Sequence, residues 1–182
     1  MAEGCCVWLT GLPCAGKTTL AGALAKWLEN KGIEAVIFDG DVVRQTVSAN
    51  LGFSREHRDA NVKRVAEMAA EVVRDGGVAI CALVSPYRAS RNSAREIAGS
   101  ADFIEVFVDT PLEICESRDV KGMYRQARAG TLEHFTGVSD PYEPPEHPDV
   151  RVAGEGDPEV AIQPILAAIQ RHRDAPLTAR AQ

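Results

Sequence analysis

The chain opens on a short apolar run of strand length, Cys5-Cys6-Val7-Trp8-Leu9-Thr10. After a glycine-containing turn, Leu20, Leu24, Trp27 and Leu28 fall on one helical face. That spacing predicts a helix over 17–30, ended by Lys31-Gly32. The alternation then repeats. Strands are expected over 34–38, 78–84, 103–108 and 150–153. Helices are expected over 42–49, from Ser54 or Arg55 to about 75, over 89–100, from Pro111 through Leu112 and Cys115, and over 158–171. In the long helix Ser54 is a good N-cap, Val62, Val65, Ala69 and Val72 make the buried stripe, and Gly76-Gly77 stops it. In the last helix Ile162, Ile165, Leu166 and Ile169 share a face. Strands alternating with helices predict an α/β fold, a mainly parallel sheet sandwiched by helices with right-handed crossovers. One domain is expected over 1–175, with a frayed tail over 176–182.

Composition narrows the class. The 182 residues suffice for one domain with a sizeable core, and a 45% hydrophobic, 25% charged composition is that of a globular protein. No apolar run approaches the roughly 20 residues of a membrane helix, so no membrane is expected as a partner. The N-terminus enters a strand too soon to be a signal peptide. The net charge of −6 argues against a general nucleic-acid binder. Five cysteines with no C-x-x-C point to a reducing, cytoplasmic setting. Cys5, Cys6 and Cys81 fall in expected strands, where a small buried side chain is the simple reading.

The chemistry starts at Gly11-Leu12-Pro13-Cys14-Ala15-Gly16-Lys17-Thr18, which fits G-x-x-x-x-G-K-[ST] between a strand and a helix start. A helix N-terminus offers unpaired N–H groups and a positive dipole end to phosphate oxygens. Gly11 and Gly16 permit backbone conformations that a Cβ would obstruct. Lys17 can reach the β/γ-phosphates, and the Thr18 hydroxyl can ligate Mg²⁺. Pro13, Cys14, Ala15 and Thr19 complete the donor-phosphate site for ATP.

The second strand runs into Asp39-Gly40-Asp41, which places carboxylates at the carboxyl edge of the sheet, where open α/β folds bind ligands. Arginines gather in segments expected at the same edge: Arg44, Arg58, Arg88, Arg91 and the stretch from Arg118 to Arg128. For Arg125 and Arg128 a solvated face is the competing reading. Two classes fit a phosphate loop here, a small-molecule kinase and a nucleotide-dependent switch. A kinase needs a second anion site and a lid that excludes water. A switch would usually carry Asn-Lys-x-Asp, which is missing. Asp119-Val120-Lys121-Gly122 fits D-x-x-G but follows an expected helix, not a strand.

With these motifs in order, the chain from Cys6 to Val152 resembles the adenylylsulfate kinase family. The resemblance rests on the phosphate loop with Thr19, Asp39-Gly40-Asp41-Val42-Val43-Arg44, Leu51-Gly52-Phe53-Ser54 with Arg58 and Asn61, and Ser85-Pro86-Tyr87-Arg88. It continues through Pro111-Leu112-Glu113 with Cys115-Glu116 and Arg118-Asp119, Lys121-Gly122-Met123-Tyr124, Phe135-Thr136-Gly137, and Pro141-Tyr142-Glu143-Pro144-Pro145. It implies ATP-dependent phosphorylation of the ribose 3′-hydroxyl of adenylylsulfate, giving 3′-phosphoadenylylsulfate and ADP. It implies Asp41 near that hydroxyl, as base or in the Mg²⁺ shell. Arg44, Arg58 and Asn61 would hold the sulfate-phosphate portion, and Phe53 and Phe135 would sandwich the acceptor adenine. Asp39, Ser85 and Pro86 would join the acceptor side. Lys121 would belong to a mobile lid and take part in catalysis, and Arg118 would lie against the ATP adenine or its phosphates. A homodimer is implied as well, and with no sulfurylase domain attached a separate enzyme is expected to supply the substrate. A diverged member acting on a related nucleotide is the alternative.

The chain also departs from the family pattern. Pro13-Cys14 replaces the common Ser-Gly of the phosphate loop, and Ser90 stands where an Asp is usual. The N-terminal extension that some members carry before the first strand is expected to be missing, and with it any regulation through such a segment.

Overall fold

A computed structural model of the protein describes residues 4–52 and 54–174. The expected tail over 176–182 and Phe53 lie outside the described residues.

Five parallel strands form one sheet in the order β2-β3-β1-β4-β5: β1 (Cys5–Thr10), β2 (Ala35–Asp39), β3 (Val78–Ala82), β4 (Phe103–Val108) and β5 (Val150–Val152). Every residue of β1 and β3 is buried, as expected of central strands covered on both faces. The period of two divides their side chains between two cores. Cys5, Val7 and Leu9 face one way, against α1 (Lys17–Asn30) and α8 (Gln163–Asp174), where Leu20, Leu24, Leu28, Ile165 and Ile169 pack. Cys6 and Trp8 face the other way, against α3 (Arg55–Arg74) and α4 (Arg88–Ala98), with Val62, Val65, Ala66, Ala69 and Ala94.

The expected α/β architecture is present, with shifted boundaries. The second helix, α2, spans Gly40–Gln45 rather than 42–49, because the Asp39 side chain accepts from Asp41 N at 2.9 Å and so caps the chain directly at the strand end. Ser54 caps α3 by accepting from His57 N at 3.3 Å. In the α3 stripe Val73 is buried and Val72 only partly so. β3 ends at Ala82, two residues early, as the chain turns toward Ser85, whose φ of 38° is left-handed. α5 (Leu112–Arg118) starts just after Pro111, and the charged stretch beyond it contains a short helix, α6 (Met123–Arg128), that buries Tyr124 and Ala127. The last helix is broken at Ile162 into α7 (Pro158–Ala161) and α8, with Asp157 capping the first piece.

β1 lies between β3 and β4. The chain leaves it for β2 and β3 on one side, then crosses to β4 and β5 on the other. The carboxyl end of β1 is therefore a topological switch point, where doubly wound sheets open a crevice.

Candidate active site

All five strands deliver their carboxyl ends to that crevice. β1 gives the phosphate loop, β2 gives Asp39, β3 gives Ser85, β4 gives Thr110, which bonds that loop from behind, and β5 gives Gly154. A cavity of about 630 Å³ opens there.

In the phosphate loop Cys14 takes φ 61° and Gly16 φ 106°. Gly16 also abuts the Gly154 carbonyl, which would sit 3.1 Å from a Cβ. Gly154 itself has no room for a side chain, because its Cβ would collide with the Ala15 carbonyl and the Thr110 hydroxyl. Thr110 Oγ1 donates to Ala15 O at 2.8 Å, and Arg118 donates to Cys14 O at 3.1 Å and to Gly154 O at 2.8 Å. The loop is thus braced from β4, α5 and the segment after β5. Lys17 Nζ donates to Gly11 O at 2.9 Å and Leu12 O at 2.7 Å. Burial pushes this ammonium down to about 8, against weaker opposing attraction from Cys115, Cys14, Asp41 and Asp39.

Thr18 Oγ1 donates to Asp39 Oδ2 at 2.6 Å. Asp41 pairs with Lys121, which reaches back from the turn between α5 and α6. Arg44 and Arg58 stand together. Burial, then the Arg58 guanidinium, lowers Arg44 from the usual arginine range, with Asp41 opposing. Burial lowers Arg58, with Asp140 and Tyr87 opposing. Two like charges gathered in one partly desolvated place favour an anion beside them. Arg58 also donates to His134 O at 2.5 Å, and Arg44 to Gly52 O at 2.9 Å.

Of the residues singled out from sequence, Pro13 through Thr19, Asp39, Asp41, Arg44, Arg58, Asn61, Ser85, Pro86, Arg118, Lys121 and Phe135 all line this one cavity. Gly11 stands behind it, its carbonyl on Lys17. Phe53 is not among the described residues. Phe135 is 6% exposed and meets Tyr124 edge-on at 4.9 Å, so it belongs to the core as well as to the cavity wall.

Other arginines expected at the edge do something else. Arg91 is buried, pairs with Glu105 at 2.8 Å, and donates to Ser85 O and Glu143 O, both at 2.7 Å. Arg88 pairs with Glu146 on the surface. Arg125 and Arg128 pair with Asp119 and Glu116, which makes them the solvated face considered as their competing reading. Asp119-Val120-Lys121-Gly122 follows helix α5, where a switch would need a strand. Sequence reasoning gave no role to Gly154 or to Thr136, although both line the cavity. Only the contacts of Gly154 reveal its part. Thr136 was visible only as the neighbour of Phe135.

Residues 3–153 match the family described as adenylylsulphate kinase. The chain is similar to the adenylyl-sulfate kinase of Synechococcus sp. (strain JA-3-3Ab), at 54% identity over 148 residues, 81% of this chain and 83% of that protein. It is 49% identical over 150 residues to the adenylyl-sulfate kinase of Halothermothrix orenii, covering 82% of this chain and 80% of the other. Among solved structures it resembles the Mycobacterium tuberculosis APS kinase CysC in complex with AMPPNP and APS. There the TM-score is 0.89 and the identity 38%, over 93% of this chain and 99% of that one.

Proposed function

The chain belongs to the adenylylsulphate kinase family, and we propose from that premise how its own residues carry out the family's reaction. The enzyme transfers the γ-phosphoryl group of ATP to the ribose 3′-hydroxyl of adenylylsulfate. The new bond joins the 3′-oxygen to phosphorus, the bond to ADP breaks, and the hydroxyl proton leaves to a base.

The observation that carries the assignment of roles is the junction of two anion-binding groups in one cavity. One is the phosphate loop with Lys17. The other is the Arg44–Arg58 pair, with Asp39 and Asp41 between them along the wall. Phosphoryl transfer is mostly positioning and charge stabilisation. Lys17, drawn from the Gly11 and Leu12 carbonyls, supplies charge to the β/γ-phosphates. Gly16, Thr18 and Thr19 present the α1 N-terminus to them. Arg44 and Arg58, with Asn61, hold the phosphosulfate; a planar fork suits its oxygens. Asp41 lies beside the 3′-hydroxyl and takes its proton, and Lys121 closes over both substrates from the α5–α6 lid. Phe135 and Phe53 stack on the acceptor base. Ser85 and Pro86 wall the acceptor side, and Arg118 holds the donor side by fixing the phosphate loop.

Thr18 Oγ1 and Asp39 Oδ2, 2.6 Å apart, are hard oxygen donors at the foot of the loop and suit Mg²⁺, which takes one or two protein ligands beside phosphate and water. Bound there, the ion would neutralise charge developing on the transferred group.

The five free cysteines, with Cys6 and Cys81 Sγ atoms at 3.9 Å and unbridged, support a reducing cytoplasm. Among the described residues no helix is long and apolar enough to cross a membrane, and the charge of −6 disfavours nucleic acid. The family resemblance supports a homodimer.

An ATP-turnover assay with and without adenylylsulfate, with the product identified as the 3′-phosphorylated nucleotide, tests the reading. Turnover should require the acceptor and vanish in Lys17→Ala at an unchanged melting temperature. Acceptor-independent turnover, or a Lys17→Ala protein of near-normal activity, would sink it.

A further inference from the structure

Four buried side-chain polar atoms lack a hydrogen-bond partner among the described residues, and two of them, Asn61 Oδ1 and Thr136 Oγ1, line the substrate cavity. Asn61 is 3% and Thr136 1% exposed. Such orphans are uncommon, and each costs the desolvation of its group unless something meets it. A threonine in a turn ordinarily bonds a nearby carbonyl. Here several backbone groups of the turn pair with one another. The Phe135 carbonyl accepts from Val138, Ser139 and Asp140 at 3.0–3.1 Å, Gly137 N donates to Asp140 O at 2.8 Å, and Phe135 N donates to Ser139 Oγ at 3.0 Å. The turn is also anchored from outside, since Tyr87 donates to Asp140 at 2.8 Å and Arg58 stands 3.9 Å from the same carboxylate. A hydroxyl on a fixed turn, next to the aromatic residue of the cavity wall and left without a protein partner, is placed for a ligand.

We propose that the Thr136 hydroxyl is a direct hydrogen-bonding contact to the nucleoside part of the acceptor and a determinant of its affinity. The inference rests on the acceptor reading given under Proposed function. The chemistry favours the nucleoside over the phosphosulfate. The other orphan of the cavity wall, Asn61 Oδ1, can only accept, so while the Asn61 amide nitrogen donates to the phosphosulfate its oxygen is left for the acceptor's donors, which are the base amino group and the ribose hydroxyls. The hydroxyl of Thr136 can serve either partner, and it follows Phe135, the residue assigned to the base.

Thr136→Val keeps the shape and removes the hydroxyl, and Thr136→Ser keeps the hydroxyl. Adenylylsulfate binding is measured by calorimetry for wild type and both variants, together with binding of a non-hydrolysable ATP analogue, thermal unfolding and acceptor KM and kcat. Thr136→Val should weaken adenylylsulfate about tenfold, raise its KM more than it changes kcat, and leave ATP-analogue binding unaltered. Its melting temperature should hold or rise, because an orphan has been removed from the free protein. Thr136→Ser should bind the acceptor like wild type. Unchanged acceptor affinity in Thr136→Val would overturn the contact while leaving the proposed function standing. An equal loss in both variants, with ATP-analogue binding and melting temperature falling together, would make Thr136 a packing residue and overturn it too. A wild-type protein that binds no adenylylsulfate would overturn both readings.

Discussion

Thr18 and Asp39 are joined side chain to side chain, Oγ1 donating to Oδ2 at 2.6 Å, while the other Asp39 oxygen accepts from the Asp41 amide at 2.9 Å. One carboxylate thus links the phosphate loop to the start of α2 and fixes where Asp41 begins. The two aspartates therefore have separable duties. Asp39 ties helix to loop and, on the proposed reading, would ligate Mg²⁺. Asp41 projects into the cavity, paired with Lys121.

Asp41→Asn should lower kcat and kcat/KM together, by about 10²–10⁴-fold if it acts as the base. Its melting temperature should scarcely move, since an exposed ion pair contributes little. Asp39→Ala should lower stability by about 1 kcal/mol through the lost cap and raise the Mg²⁺ concentration needed for half-maximal rate. Steady-state kinetics across a Mg²⁺ series, with thermal unfolding, separates them. If saturating Mg²⁺ restores Asp41→Asn but not Asp39→Ala, the roles are reversed.

ATP affinity should depend on pH through Lys17. Burial holds its ammonium down to about 8 in the free protein. Phosphate oxygens favour the charged form, so its value rises on binding and a proton is taken up. Affinity is then fully present below about pH 8 and is lost as pH climbs through 8 toward the higher value in the complex. Between pH 7 and pH 9 binding of an ATP analogue should weaken about tenfold, as one protonation predicts. A flat profile would show that Lys17 keeps its proton throughout. Lys17→Arg, which stays charged, should remove the slope in any case.

Phe135 needs a gentler probe than alanine, because it sits in the core against Tyr124 at an interplanar angle of 85°. Phe135→Leu should cost about 0.5–1.5 kcal/mol of stability from the lost aromatic pair. It should cost a further 1–3 kcal/mol of acceptor binding if the ring stacks on the base, with ATP affinity unchanged. Phe53→Leu should weaken the acceptor in the same way. A lowered melting temperature with normal acceptor affinity would leave Phe135 as core alone.

Gly154→Ala should be severe for one methyl group. The new carbon meets the Ala15 carbonyl and the Thr110 hydroxyl, and such crowding costs about 1–3 kcal/mol. Nucleotide titration and melting curves should both shift, with ATP affinity hit harder than adenylylsulfate affinity. Equal damage to both substrates would mean that the strain spreads beyond the phosphate loop.

Periodicity carried the fold well because the sheet is buried on both faces, so β1 and β3 read as continuous apolar runs and α1, α3 and α8 as stripes. Element ends were less legible where a side chain decides them, as when Asp39 starts α2 two residues early. α6 was hidden because its two buried residues, Tyr124 and Ala127, are embedded among charges. At the site, local motifs were readable: the phosphate loop, the strand-end aspartates and the basic stretch. Long-range partners were not. Arg91 looked like another anion ligand, and only the fold brings Glu105, Ser85 and Glu143 around it. Gly154 and the orphaned hydroxyl of Thr136 have no local pattern, since their meaning lies in what surrounds them, or fails to.

The brace between Arg118, Gly154 and the phosphate loop has a consequence for synthesis. The loop precedes its supports in the sequence: its carbonyls at Cys14 and Ala15 are braced only once Thr110, Arg118 and Gly154 are in place. Contacts this distant in sequence form late, after loop closure has been achieved. A nascent chain still lacking β5 has every residue of the phosphate motif but not its rigid form. Competence to hold a nucleotide should therefore come only with β5: a chain cut before Val150 is expected to bind an ATP analogue more weakly than the whole chain.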